Sequence, residues 1–71
     1  MRVTYDRQVD AAYIYLRDIE PGGSRHQCPV ECDSATGMIV LDLDQEGRLI
    51  GIEVVGAMNG LPRELLALAP D

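Results

Sequence analysis

The segment from Met38 to Val55 constrains this chain more than any other. Met38-Ile39-Val40-Leu41-Asp42-Leu43-Asp44 and Arg48-Leu49-Ile50-Gly51-Ile52-Glu53-Val54-Val55 both have strand composition, and Gln45-Glu46-Gly47 breaks them apart. Two such arms around a Gly-closed polar break predict a β-hairpin. Opposed residues on paired strands share a face, so the register follows from parity. Setting Asp44 against Arg48 would carry Leu41 to Gly51 and Ile39 to Glu53. An even-numbered loop instead opposes Leu43 to Ile50, Leu41 to Ile52 and Ile39 to Val54, and sends Asp42, Asp44 and Glu53 outward. Burying each aliphatic side chain is worth ~1.5–3 kcal/mol, so the second register is expected. Leu41 then sits mid-face, where an aspartate is expected to unfold the chain.

The rest of the chain supplies further strands. Met1, Val3 and Tyr5 alternate with polar residues, and Ala12, Ile14 and Leu16 alternate with Tyr13, Tyr15 and Arg17, with a polar turn from Asp6 to Asp10 between the two runs. Val9, Ala12, Tyr13 and Leu16 also fit a helical spacing, but the Tyr-Ile-Tyr cluster favours a strand. Ile19-Glu20-Pro21-Gly22-Gly23-Ser24 is the clearest break. The run from Arg25 to Cys32 contains Pro29, which confines it to a sheet edge. Gly56 to Gly60 reads as a turn, and Pro62 to Leu68 as a helix of about two turns, too short to stand unless docked on the sheet. The expected fold is a single α+β domain over residues 1–71. It holds a small antiparallel sheet of four or five strands, a meander of hairpins, with a short C-terminal helix.

Three blocks carry a resemblance: Tyr5-Asp6, Asp10-Ala11, Tyr13-Ile14 and Leu16; then Gly37 to Asp44; then Gly47-Arg48-Leu49-Ile50-Gly51-Ile52-Glu53. In this order, from about Val3 to Val55, they resemble a family of short prokaryotic proteins catalogued only as a domain of unknown function. The pattern of that family is YD, then AD-LYI-L, then a GIEI-like strand. Ala12 departs from it, standing where the family commonly has a larger aliphatic. The resemblance implies a small β-meander-like domain, no catalytic residue and no cofactor.

Composition removes several functional classes. With 12 acidic residues, 6 arginines and 1 histidine, the net charge is −6, the wrong sign for a nucleic-acid binder. The chain has no Trp or Phe and 3 Tyr, which leaves no base-stacking platform. Its longest unbroken apolar run, Ala11 to Leu16, is far short of the ~20 residues that cross a bilayer, so no membrane contact is expected. No basic start leads into an apolar stretch, and the cytoplasm is the expected compartment.

Side chains that could carry chemistry are few. His26, Cys28 and Cys32 share parity, but the strand between the cysteines spans ~13 Å, too far for one zinc site or a disulfide. They read as an edge histidine and two thiols without a metal. Counting from Asp42, the acids Asp42, Asp44 and Glu46, then Gly47 and Glu53, match the spacing of a calcium loop. A calcium loop joins helices, whereas these flanks read as strands, so a plain hairpin turn is expected and tight calcium binding is not. Ser24 and Ser34 lack a nucleophile elbow, and no nucleophile–base pair can be assembled, so the chain is not expected to be an enzyme and no cofactor is expected.

The core set Ile14, Leu16, Ile39, Leu41, Leu43, Ile50, Ile52 and Val54 occupies one face of the expected sheet. The other face mixes polar residues with Tyr13, Tyr15, Val40, Leu49 and Val55, which a two-turn helix cannot cover as well. Those five residues are the candidate interface of a self-associating, non-enzymatic interaction module, most simply a homo-oligomer. The alternatives are an antitoxin-like regulatory subunit for a basic protein partner, suited to the acidic charge, and a cation-binding protein using the Asp42–Glu53 segment.

Overall fold

The computed structural model describes residues 1–23, 26–31 and 37–70. The strands are β1 (Arg2–Asp6), β2 (Ala11–Tyr15), β3 (His26–Val30), β4 (Met38–Leu43) and β5 (Leu49–Val55), followed by two one-turn helices, α1 (Ala57–Gly60) and α2 (Arg63–Leu66). All pairings are antiparallel, in the order β1-β2-β5-β4-β3. The α+β sheet with a helical C-terminus is thus present, and the run from Arg25 to Cys32 contributes the edge strand β3. The strand order is not a sequential meander. β3, β4 and β5 form consecutive hairpins, and β5 then returns beside β2, the Greek-key arrangement. β5 is thereby paired through its backbone on both edges, with β4 on one side and β2 on the other.

The hairpin register combines both alternatives weighed from the sequence. Ile39 faces Val54 and Leu41 faces Ile52, as the aliphatic pattern demands. Near the turn, however, Asp44 N–H donates to the Arg48 carbonyl at 2.8 Å, and Leu43 faces Leu49 rather than Ile50. Gly47, at φ 82°, closes a three-residue loop with its N–H on the Asp44 carbonyl at 3.0 Å. Such a loop needs a left-handed residue, which Gly47 adopts without strain. Asp42 faces Gly51, so Ile50 is an extra residue on β5, a bulge that resets the pairing. The expected even-numbered loop is replaced by an odd loop and a bulge. This keeps the turn chemistry of Asp44 and the aliphatic register of Leu41 together.

The register defines two faces. One carries Val3, Tyr5, Ala12, Ile14, Val54, Ile52, Ile39, Leu41, Leu43, Val30 and Cys28, and here called the aliphatic face. Its core is a cluster of Ala12, Val54 and Ala57, against which Tyr5, Ile52, Leu61 and Leu66 pack. The helices therefore lie on the aliphatic face, α1 against β5 and α2 against β1. Ile14, Ile50 and Val54 are buried as expected, whereas Ile39, Leu41, Leu43 and Ile52 are half-buried and Leu16 is exposed at 42%. Leu16 lies past the end of β2, where its N–H reaches the Ile50 carbonyl of β5 at 3.0 Å, beyond the last residue of β2 that pairs with β1.

Candidate functional site

Most of the polar side chains that sequence patterns single out are tied into the fold itself. Asp10 closes the β1–β2 turn at φ 52°, a left-handed conformation that aspartate tolerates better than most residues. Its carbonyl accepts Gly56 N–H at 2.8 Å and Ala57 N–H at 3.1 Å. Its Oδ1 accepts the Tyr5 hydroxyl at 2.7 Å and Met58 N–H at 3.0 Å. One residue thus joins the first hairpin to the start of α1, 48 positions later. The hydrogen bond to Asp10 holds the Tyr5 phenol above its usual pKa.

On the opposite face, a row runs across the sheet: Arg2, Tyr15, Gly51, Asp42 and Gln27 face one another in turn. The Arg2 guanidinium lies 4.1 Å over the Tyr15 ring, whose centroid is 4.6 Å from that of Tyr13. Tyr13 leans diagonally over β5, and its hydroxyl donates to Asp42 Oδ2 on β4. It can do so because Gly51 has no side chain; a Cβ there would overlap the Tyr13 ring. Burial, and then the bond to Asp42, push the Tyr13 phenol pKa up. Asp42 Oδ1 is buried with no hydrogen-bond partner among the described residues.

At the hairpin turn, Asp44 Oδ1 accepts Glu46 N–H and Arg48 N–H, each at 2.9 Å, and Oδ2 meets the Arg17 guanidinium at 3.2 Å. The backbone donor of Arg48 is the largest cause holding its carboxyl below the usual range, with burial opposing. Asp42 and Asp44 are each only 5% exposed, so the expectation that both point into solvent is corrected. Asp42 is covered by Tyr13, and Asp44 is folded back over its own turn.

The calcium-loop residues accordingly look to different partners: Asp42 to Tyr13, Asp44 to the turn backbone, and Glu46 to Arg48 at 3.6 Å, while Glu53 stands across from Tyr13 and Val40. Among the described residues, no three His, Cys, Asp or Glu side chains group as metal ligands. His26 and Cys28 are exposed on β3; Cys32, Ser24 and Ser34 lie outside the described residues.

The five expected interface residues do not form one patch. Val40 is buried at 8% exposed, Tyr13 and Tyr15 are engaged in the row just described, and Val55 is half-buried. Leu49, exposed at 40%, faces Leu43, and so the bulge at Ile50 puts it on the aliphatic face, across the sheet from the tyrosines. What sequence reasoning missed is on that same face. Over β3, β4 and the start of β5 the residues Cys28, Val30, Ile39, Leu41, Leu43 and Leu49 form a strip, half-buried or exposed, with His26 at its end across from Leu43 and the helices over the other part of the face. No strand carboxylate shares this face: Asp6, Asp42 and Glu53 all have the other parity.

A family model described as "Protein of unknown function (DUF2283)" matches residues 2–57. The chain belongs to this family. The match spans the five strands and ends at Ala57, so the family segment contains the sheet, the tyrosine row and most of the Asp10 latch, and leaves α2 outside. No curated protein and no solved structure matches the chain. Among the described residues, no helix is long and apolar enough to cross a membrane.

Proposed function

We propose that the protein is a non-enzymatic interaction module that self-associates, and that its working surface is the β3–β4 half of the aliphatic face. One observation carries the reading: on a chain of net charge −6, the described residues leave an apolar strip free of strand carboxylates, with Cys28, Val30 and Leu49 exposed and Ile39, Leu41 and Leu43 half-buried. Contiguous exposed apolar surface rimmed by polar residues marks interaction sites. Small domains often gain the stability their cores lack by oligomerising, and among the described residues the largest fully buried side chains are Ile50 and Val3. The polar side chains support a structural rather than a chemical role. Tyr5, Asp10, Tyr13, Asp42 and Asp44 are used in latching the helices, spanning the sheet and closing a turn. Light scattering across the micromolar range tests the reading. A mass rising towards twice 7.8 kDa supports it; 7.8 kDa throughout contradicts it.

A further inference from the structure

We infer that the occupant of the strip is a second copy of this chain, stacked face to face as a two-sheet sandwich rather than joined strand to strand along the open edge. This rests on the self-association proposed above and specifies its geometry.

Among the described residues β1 and β3 are the edge strands of the sheet, and β3 is the one beside the strip. Edge-to-edge addition there would need a regular row of outward N–H and C=O groups. Pro29 brings no N–H to its pair with Val40, which places the β3–β4 hydrogen bonds on His26, Cys28 and Val30 and turns the gap outward. The edge therefore lacks a donor at its centre. The face beside it has no such defect: Cys28 and Val30 stand across from Leu41 and Ile39, and Leu43 across from Leu49.

Charge selects the occupant. A basic partner would be drawn to the opposite face, where Asp6 and Glu53 stand beside Arg2, rather than to a strip with no carboxylate. Two copies each carrying −6 repel least where the apposed surfaces hold no carboxylate, and the strip is such a surface, with His26, across from Leu43, the ionisable strand residue at its end. A two-fold axis through it presents the same apolar set from both sides, the closed solution commonest among homo-oligomers. Stacked sheets pack ~10 Å apart with interdigitating side chains, and medium aliphatics such as Val30, Ile39 and Leu41 fill that spacing. A three-strand patch roughly 14 Å by 17 Å is small beside the ~800 Å² per partner of a standard interface, so the association is weak and concentration-dependent.

The test uses the full chain with Cys32→Ser, leaving Cys28 as its only cysteine, and follows thiol labelling alongside sedimentation. As the dimer forms, labelling of Cys28 slows several-fold, and Leu41→Lys restores both the fast rate and the monomer. Val30→Lys, at a position already exposed, does the same if Leu41→Lys fails to fold. Gln27→Lys, one residue along β3 but on the other face, leaves the dimer intact. A monomer at all concentrations overturns self-association altogether. A dimer in which Cys28 labels at the monomer rate, or which Gln27→Lys dissociates while Val30→Lys does not, overturns the face-to-face arrangement and leaves self-association standing.

Discussion

Ala12 and Val54 in the β1–β2–β5 half and Ile39 and Leu41 in the β3–β4 half occupy the same face of one sheet, yet the first pair is buried and the second half-buried. The strand residues are not the cause, since both halves are rich in aliphatic side chains. The difference lies in where the C-terminal segment is anchored. Asp10 holds Gly56, Ala57 and Met58 over the first hairpin, and Leu61 and Leu66 then pack against Ala12 and Val54. Helices of four residues cannot reach further across. The C-terminal segment covers one half of the sheet face, and among the described residues the other half is the less buried.

The largest expected effect contrasts the two halves directly. Val54→Asp buries an unpaired charge in the cluster and abolishes the cooperative melt, because that penalty rivals a total stability of order 5 kcal/mol. Leu41→Asp, at a half-buried position on the same face, keeps the fold and lowers stability by only ~1–2 kcal/mol. Thermal melts by circular dichroism compare them; equal losses would erase the distinction between halves. This also revises the expectation, drawn from parity alone, that a charge at Leu41 unfolds the chain.

Next in size is the tie between the halves. Tyr13→Phe removes the hydroxyl that spans β5 and with it the bond to Asp42 Oδ2, a loss of ~1–3 kcal/mol by urea denaturation. Gly51→Ala, which pushes the same ring aside, is expected to lose at least as much. Unchanged stability in both would mean that the row across the sheet is incidental. The Tyr13 pKa is raised in the fold, so the stability it confers is present below pH ~10 and fades as pH rises further. Tyr13→Phe removes that alkaline loss.

Asp10→Ala tests the anchor. It deletes the bonds to Tyr5 and Met58 and places alanine at a left-handed φ, for ~1–2 kcal/mol, whereas Asp10→Asn keeps the conformation and loses less. Limited proteolysis reads the result: cleavage between Gly56 and Leu68 accelerates in the alanine variant, and an unchanged rate would show that the helices are held by packing alone.

The smallest effect is the acid limb. The Asp44 carboxyl pKa is depressed in the fold, so its contribution is complete above the ordinary value near 3.8 and is lost as pH falls through the folded value. Asp44→Asn is less stable than the parent at neutral pH, and the gap closes towards pH 3. A gap that stays constant would place the effect elsewhere.

Much of this architecture is legible in the sequence, for reasons that also explain what is not. Strands β1, β2, β4 and β5 announce themselves by alternation, and Pro29 correctly assigns β3 to an edge, because these signals are local. The facing of Leu41 by Ile52 is legible because a one-residue slip would reverse every side chain of the arm. The bulge at Ile50 is not, since an odd loop plus one extra residue has the same far register as an even loop. That single residue carries Leu49 to the other face and splits the five residues expected at the interface. The burial of Asp42 and Asp44 depends on Tyr13 and Arg17, 29 and 27 positions away, and alternation is blind to such distances.

Hydrogen exchange measured at several protein concentrations bears most directly on the claim that the β3–β4 half is completed by a second copy. Amide protection in β1, β2 and β5 is expected to stay constant on dilution, while protection in β3 and β4 falls as the dimer dissociates and the edge strand opens more often. Protection in β3 and β4 that does not change from the highest to the lowest concentration would contradict it.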